Sequence, residues 1–254
     1  MEILKKYYLI VISAAVFIIY LITLAPSVIQ IDSGELAAVQ AMPGIAHPTG
    51  YPLFTLTGYL FSLIPLPFSM IYKLNILAAL WCTSGVFVFV VTAKLLLENV
   101  NQFKHKKVIS KKDKRKREEP SITAELPEMK KVTAIIAGAL ILAFSKTFWF
   151  QSTSVEVYSL HIFLITFTVF LLLKAYLKKD NDLKQWLVFS VVLALGFTNH
   201  MTMLLILPGT AYLFFLKHGF NKKAFNKIGL MLLVFFPVLI LIYSYLPVRA
   251  AQDP

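Results

Sequence analysis

Two carboxylates and a histidine lie within residues 31–54, IDSGELAAVQAMPGIAHPTGYPLF. Asp32 and Glu35 are three positions apart and are followed by His47, and the segment holds no lysine or arginine although the chain has 25 of them. A positioned carboxylate acts as a general base when it accepts the proton of an attacking hydroxyl group. The segment therefore predicts a catalytic loop whose acids are Asp32 and Glu35.

The same two acids also fit a structural role. The order Asp-Ser-Gly-Glu predicts a helix over 33–41, with Asp32 as its N-cap and Glu35 reaching back to the cap as a capping box. Acids are stabilised at the positive N-terminal end of a helix. The two interpretations are compatible, because a capped helix holds a base rigidly.

The motif AHPTGYPLF predicts a rigid elbow followed by a short helix. Pro48 restricts His47 to extended geometry, Gly50 permits a turn, and Pro52 suits the first position of a helix. His47 is then either hydrogen-bonded locally or placed, with Tyr51, against a substrate.

Three later segments carry polar residues at the ends of apolar runs: SKTFWFQSTSVEVYSLHIF, GFTNHM and YSYLPVRAAQDP. Each has a structural alternative, since a loop acid is ordinarily solvated, an amide in a turn satisfies backbone groups, and an arginine anchors a helix at the interface. An arginine also suits a phosphate, because its planar fork binds oxyanions at two points. The predicted substrate contacts are His47, Tyr51, Glu156, Tyr158, His161, Asn199, His200 and Arg249.

Apolar helices must position these residues. The chain has 254 residues, of which 58% are hydrophobic, and its apolar residues form runs of the roughly 20 residues that a spanning helix needs. The pattern predicts an all-α polytopic membrane protein with one transmembrane module over 1–254. Its seven predicted crossings are 7–24, 71–97, 132–149, 159–177, 184–199, 201–216 and 228–246.

The connecting segments and the positive charge set the predicted orientation. Residues 25–70 form an extracytoplasmic loop with an interfacial half-helix at 53–64, and residues 98–131 form a basic cytoplasmic linker. All but three of the 25 basic residues fall on the side of the N-terminus, which is therefore cytoplasmic. The linker is either a solvated loop or a contact for anionic lipid head groups.

Several function classes are excluded or disfavoured. The net charge of +12 lies at segment ends and in the linker, as membrane topology requires, so it does not predict nucleic-acid binding. Cys82 is the single cysteine, so no intramolecular disulfide forms. The histidines show no HxxxH or HExxH spacing, and we predict neither a cofactor nor a tight divalent metal site.

Successive blocks of the chain resemble one known family. The blocks are DSGELAAVQAMPGIAHPTGYPLFTLTGYLFSLIPL, KLNILAAL, STSVEVYSLH, NHMT and LPVRAAQDP, and His-Pro-x-Gly-Tyr-Pro is the most specific element. They are similar to an uncharacterised-domain family of GT-C-type polytopic membrane glycosyltransferases, related to transmembrane protein O-mannosyltransferases. The resemblance covers nearly the whole chain except the basic linker.

The resemblance implies a GT-C-like helical bundle whose first extracytoplasmic loop carries the catalytic acid. It implies Asp32 as that acid with Glu35 beside it, a polyprenyl-phosphate sugar as donor, and Arg249 as the residue that holds the donor phosphate. Proteins of this type usually continue with more crossings, so the chain is expected to be the N-terminal part of a longer architecture.

Residues and resemblance together predict an inverting membrane glycosyltransferase with Asp32 as general base. The expected partners are the lipid bilayer, a polyprenyl-phosphate sugar, and a protein or glycan hydroxyl acceptor such as Ser or Thr. The expected location is the extracytoplasmic face of a prokaryotic inner membrane. The alternatives are a carrier or flippase for a lipid-linked solute, which is disfavoured by helix interiors almost free of ionisable groups, and a non-catalytic assembly subunit.

Overall fold

The structure is a computed structural model and describes residues 2–29, 31–100, 127–179 and 182–252. All regular secondary structure in these ranges is helical, which confirms the all-α prediction for them. Most of the predicted basic linker at 98–131 lies outside the described residues, so its two interpretations stay open.

Eleven α-helices and one 3₁₀ helix are present in the described ranges. The 3₁₀ helix lies between α8 and α9 in the chain. The bounds are α1 Glu2–Ile22, α2 Ile31–Ala41, α3 Pro52–Ser62, α4 Met70–Glu98, α5 Glu128–Ala143, α6 Lys146–Ser152, α7 Val157–Leu177, α8 Leu183–Asn199, the 3₁₀ helix Met201–Ile206, α9 Leu207–His218, α10 Lys222–Tyr243 and α11 Tyr245–Ala250.

The described helices support an integral membrane protein but do not confirm seven crossings. Four stretches are long and apolar enough to span a bilayer, namely Met70–Glu98, Val157–Leu177, Met201–His218 and Lys222–Ala250. A fifth span exists if α5 and α6 count as one bent element. The apolar helices over Tyr7–Ile22 and Leu183–Asn199 are shorter, and the orientation stays a prediction.

The predicted crossing at 132–149 consists of two helices in the structure, and whether they form one crossing stays a prediction. The chain bends by 68° between α5 and α6. Helix α5 ends at Ala143 with Phe144 as its C-cap, and Ser145 adopts an extended backbone before α6 begins. The Ser145 hydroxyl donates to the Leu142 carbonyl at 2.9 Å, which satisfies a carbonyl at the end of α5. This local hydrogen bond favours a helix end in the short polar stretch of Ser145, Lys146 and Thr147, which the predicted crossing included.

Two apolar cores meet along α4. One core joins α1, α4 and α5, and Tyr20 and Val86 are fully buried in it. The other joins α7, α8 and α9 with α2 and α3, and contains Leu36, Phe54 and Trp186. Helix α4 therefore packs against α1 on one side and α7 on the other, and gives both cores a common wall.

Asn75 joins three segments at one end of the bundle. Its buried amide donates to the Ala25 carbonyl at 2.8 Å, and its carbonyl oxygen accepts the Val155 N–H at 2.9 Å. The Ala25 N–H in turn donates to the Thr153 carbonyl at 2.9 Å. The chain after α1 and the chain before α7 are thereby fixed to α4. We call this the site end of the bundle.

A buried acid holds the opposite end together. Asp182 is 5% exposed and accepts hydrogen bonds from Lys227 at 2.5 Å and Trp186 at 3.1 Å. Lys217 lies 2.6 Å from the same carboxylate and also donates to the carbonyls of Ala175 and Lys178. Burial alone raises the pKa of Asp182, but the hydrogen bonds from Lys217, Lys227 and Trp186 outweigh it and hold the pKa well below its usual range.

Asp182→Asn tests this network. The substitution leaves two half-buried lysines sharing a neutral amide, and loss of one partner from a buried ion pair typically costs about 3–5 kcal/mol. We expect a fall of about that size in the free energy of unfolding, measured in mixed detergent micelles. The matched control is Glu98→Gln, which breaks a partly exposed pair with Lys94 at 3.8 Å and is expected to cost less than about 1 kcal/mol. Equal losses in the two variants would contradict this assignment.

Candidate functional site

Helix α2 carries the two acids of the first loop. It begins at Ile31, two residues earlier than predicted, so Asp32 lies exposed within the first turn instead of capping a helix over 33–41. The predicted capping box is wrong, because Glu35 reaches forward to His47. Competition from this partner, 12 residues further along the chain, is the physical reason for the difference.

Glu35 and His47 form a carboxylate–imidazole pair. The Glu35 carboxylate accepts the backbone N–H of His47 at 2.7 Å, and both of its oxygens lie 3.2 Å from Nδ1 of the His47 ring. An ionised carboxylate can only accept, so Nδ1 carries the proton in this arrangement. The other ring nitrogen, Nε2, then presents a lone pair toward the Tyr51 hydroxyl at 3.4 Å. The pair orders the elbow and fixes the His47 ring.

The elbow itself depends on two residues with left-handed backbones. Gly50 has φ +84° and Tyr51 has φ +40°, and Pro52 begins α3 directly afterwards, as the motif predicts. A Cβ atom at Gly50 would lie 3.0 Å from the Leu246 side chain of α11. Only glycine combines this backbone with so close a neighbour. The elbow therefore turns Tyr51 inward, where its ring is buried.

The Tyr51 ring meets two other elements of the site end. It stacks on the His200 ring with a centroid distance of 6.0 Å and an interplanar angle of 3°. The His200 ring also lies 5.0 Å from Tyr158 and 5.1 Å from His161. The start of α3, the start of α7 and the end of α8 thus converge on one ring cluster. All four residues of this cluster were predicted from the sequence as substrate contacts, and the structure brings them together.

Thr202 connects the two histidines of the cluster. Its hydroxyl lies 2.8 Å from Nδ1 of His200 and 2.9 Å from Nε2 of His161. Its backbone N–H also donates to Nδ1 of His200 at 3.2 Å. The second nitrogen of His161, Nδ1, is buried and has no hydrogen-bond partner in the described part of the chain.

Glu156 lies at the N-cap position of α7 and is 6% exposed. The Ser33 hydroxyl is 2.9 Å from the Val155 carbonyl and 3.4 Å from the Glu156 carboxyl group. Burial raises the pKa of Glu156, the nearby charge of Asp32 raises it further, and the hydrogen bond from Ser33 only partly opposes this. The alternative of a solvated loop acid is wrong, because the carboxyl group is enclosed.

The charges of the first loop reach the ring cluster. Burial raises the pKa of Tyr51, and the charges of Tyr158, Asp32 and Glu35 raise it further. Burial lowers the pKa of His200 from its usual value near 6.5. At neutral pH the site therefore contains a protonated Tyr51 and a neutral His200 beside the exposed Asp32.

Asn199 and Arg249 lie at the margin of this arrangement. The buried Asn199 amide donates to the Val157 carbonyl at 3.4 Å, which agrees with its alternative role of satisfying backbone groups. Arg249 donates to the Met42 carbonyl at 3.4 Å and to Gln252 at 2.9 Å, and its Nε is buried without a partner among the described residues. Met42 follows the end of α2, so Arg249 lies about 15 Å along that helix from Asp32.

Sequence reasoning missed three residues that build the site. Thr202 stands two positions after His200 in NHMT, and Ser33 is adjacent to Asp32, so proximity in sequence was an available signal. No such signal pointed to Asn75, because its hydrogen-bond partners Ala25 and Val155 are 50 and 80 positions away in the chain.

No group of three or more His, Cys, Asp or Glu side chains that could hold a metal ion occurs among the described residues. The prediction that the chain needs no divalent metal and no cofactor stays a prediction.

Comparison with known proteins decides the family. The model of the protein O-mannosyl-transferase TMEM260 N-terminal domain matches residues 32–223, more than half of the chain. The chain belongs to this family. The match begins at Asp32 and includes His200, so it covers both halves of the ring cluster and leaves Arg249 outside. It confirms the resemblance to a family related to O-mannosyltransferases, whereas the GT-C fold stays a prediction.

Two relatives of the TMEM260 N-terminal domain family have short but close matches. A protein O-mannosyl-transferase tmem260 of Dictyostelium discoideum is 58% identical over 45 residues, which is 18% of this chain and 6% of that protein. A protein O-mannosyl-transferase TMEM260 of Mus musculus is 42% identical over 69 residues, 27% of this chain and 10% of that protein. The matched stretches are a tenth or less of either relative. Both relatives are eukaryotic, so they do not support a prokaryotic inner membrane.

No solved structure matches the chain at a significant level. The fold is therefore described from this chain alone.

The pH dependence of stability tests the environment of Glu156. Because its pKa is raised in the folded protein, the folded state binds more protons than the unfolded state above the unfolded pKa of about 4.3, and this group makes stability fall as pH rises. Glu156→Gln removes that loss, so we expect the variant to gain thermal stability relative to wild type at pH 8 but not at pH 4. Glu98→Gln serves as control, and an equal gain at both pH values would contradict the burial argument.

Proposed function

We propose that this chain forms the active site of a glycosyltransferase that moves a mannosyl residue from a polyprenyl-phosphate donor to a protein hydroxyl. The observation that carries the proposal is the family match over residues 32–223, which contains the whole cluster of acids, histidines and tyrosines at the site end. The two relatives bear the name protein O-mannosyl-transferase, and the proposal extends that activity to this chain.

In this proposal Asp32 is the general base. It takes the proton of a Ser or Thr hydroxyl while the oxygen attacks the anomeric carbon of the donor. The bond from that carbon to the phosphate oxygen breaks, the electron pair leaves with the polyprenyl phosphate, and the configuration at the carbon is inverted. An acid used in this way must be ionised and reachable by the acceptor.

Of the three acids at the site end, Asp32 meets both conditions best. Glu35 is occupied by the backbone N–H and ring of His47. Glu156 is enclosed, and its raised pKa favours the neutral form. Asp32 is exposed in the first turn of α2, where the helix dipole favours a negative charge. This distribution supports Asp32 as base, with Glu35 in a positioning role.

An apolar groove supports a lipid-linked donor. It lies between α8, α9 and α10, has a volume of about 500 Å³, and is lined almost entirely by apolar side chains, among them Phe189, Leu193, Phe197, Leu204, Phe214 and Phe235. Phe197 and Leu204 flank His200 in the chain, so one end of the groove adjoins the ring cluster. A polyprenyl tail in this groove would bring its phosphate to the site end.

Arg249 is the proposed partner of that phosphate. The Tyr243 hydroxyl donates to the Phe197 carbonyl at 3.3 Å, which fixes the end of α10 at the mouth of the groove. Arg249 lies six residues later, on α11, with Nε unpartnered in the described part of the chain. A guanidinium there would stabilise the charge that grows on the leaving phosphate. We further propose that this site faces the extracytoplasmic compartment.

Asp32→Asn tests the proposed base. Removal of a correctly placed base typically lowers the rate by about 10²–10⁴, so we expect transfer to fall by that factor. The measurement is transfer from polyprenyl-phosphate mannose to a Ser/Thr peptide, with the full-length protein in lipid nanodiscs and thermal stability recorded in parallel.

Glu98→Gln is the matched control, since it makes the same carboxylate-to-amide change at an exposed position on α4. A well-folded Asp32→Asn protein with wild-type turnover would exclude the mechanism. Passage of the donor across the membrane without bond formation would favour a carrier.

A further inference from the structure

The hydrogen bonds of His200 determine which of its nitrogens carries the proton. The Thr202 backbone N–H can only donate, and it points at Nδ1 of His200 from 3.2 Å. Nδ1 must therefore be an unprotonated acceptor, and in the neutral ring the proton is on Nε2. A second proton on Nδ1 would oppose the Thr202 N–H. Burial, which lowers the pKa of His200, acts in the same direction. His200 is a neutral ring with a fixed N–H donor.

His47, on the other side of Tyr51, has the opposite proton position. Glu35 holds a proton of His47 on Nδ1, so in the neutral ring Nε2 is an acceptor. The Tyr51 ring lies between the two imidazoles, at 5.3 Å from His47 and 6.0 Å from His200. One histidine is thus prepared to accept a hydrogen bond and the other to donate one.

The donor end of His200 is not used by the protein itself. Nε2 of His200 has no hydrogen-bond partner in the part of the chain that the structure describes, and the residue is only half-buried. Behind it, His161 is 7% exposed and bonded to the same Thr202 hydroxyl at 2.9 Å, with Nδ1 unpartnered. This rigid arrangement holds a free N–H at the rim of the cluster.

Two tyrosine rings lie next to the His200 ring. Tyr51 covers one face of the His200 ring in parallel, and Tyr158, which is 42% exposed, lies 5.0 Å away at an angle of 42°. The residues of this cluster include no lysine or arginine. A phosphate would need a cation here, whereas a sugar offers an apolar C–H face for an aromatic ring and hydroxyl oxygens for a neutral N–H donor.

We propose that His200 and Tyr158 form the seat for the sugar ring of the donor. Nε2–H of His200 donates to a sugar hydroxyl oxygen, the Tyr158 ring contacts the C–H face, and Thr202 is the positioning residue that fixes the His200 proton. The proposal rests on the proposed function and adds to it a subsite separate from the phosphate and the tail. Tyr51, which stacks on His200, is next to the α2–α3 elbow that His47 and Glu35 hold in place, so the proposed seat and the first loop belong to one site.

The test separates sugar binding from lipid binding. Full-length protein in nanodiscs is titrated with polyprenyl-phosphate mannose and with polyprenyl phosphate, and the ratio of the two dissociation constants isolates the contribution of the sugar. We expect the sugar to tighten wild-type binding by about tenfold or more, as one or two well-made contacts provide. In His200→Ala and in Tyr158→Ala this ratio falls toward one, while the dissociation constant of polyprenyl phosphate stays within about twofold.

Two further variants distinguish a donor from a structural role. His200→Gln keeps an N–H group near the position of Nε2 and is expected to retain part of the sugar-dependent ratio, and Thr202→Val is expected to lower it. Met201→Ala alters a neighbouring, 48% exposed residue and leaves the ratio unchanged.

An unchanged ratio in His200→Ala and Tyr158→Ala overturns the sugar seat and leaves the proposed function standing. A weaker binding of polyprenyl phosphate in the same two variants overturns it in favour of a phosphate site. Wild-type protein that binds neither lipid overturns the proposed function and the sugar seat together.

Discussion

The site end depends on the amide of Asn75. One side chain on α4 binds the carbonyl of Ala25 and the N–H of Val155, and so fixes two segments that are 130 positions apart in the chain. Val155 then accepts from Ser33, the neighbour of Asp32. The position of Asp32 on α2 therefore depends on the buried amide of Asn75 on α4. In an apolar interior both ends of such an amide must be paired, which makes the arrangement specific as well as stable.

A second constraint comes from the elbow between α2 and α3. Gly50 and Tyr51 both have positive φ, and this geometry brings the Tyr51 ring against His200. A Cβ atom at Gly58 of α3 would lie 2.1 Å from the Gln40 side chain of α2, so a larger residue there would displace the Gln40 amide from the Phe54 carbonyl. The elbow and the close packing together connect the first loop to the α8 junction. They bring residues from four elements into one cluster.

Much of this site followed from residue types alone. Pro52 marked the start of α3, and the acids and histidines of the later segments predicted a gathering of polar groups at the ends of apolar runs. The hydrogen-bond partner of Glu35 could not be derived from the sequence. Its carboxylate is equally suited to capping a helix and to binding His47, and only the tertiary structure decides between them. The bend after Phe144 was missed because the apolar residues on both sides of Ser145, Lys146 and Thr147 were assigned to one run. The prediction of seven crossings is not confirmed for a related reason. Short or broken apolar helices have the same composition as long ones, so composition does not show which of them cross the membrane.

The lengths of two helices have a consequence for the surrounding lipid. Helices α5 and α8 contain 16 and 17 residues, or about 24 and 25 Å, whereas a typical hydrocarbon core is about 30 Å thick. Such a mismatch is relieved when the bilayer thins locally, at a cost of fractions of a kcal/mol per Å. Asn199 at the end of α8 is bonded to the start of α7, so if α8 crosses the membrane as predicted, the bilayer beside α7 and α8 must adapt to α8, the shorter of the two. Lipid head groups near His200 would then be drawn toward the membrane centre, and a lipid-linked donor, if the proposed function holds, would have a shorter vertical distance to His200.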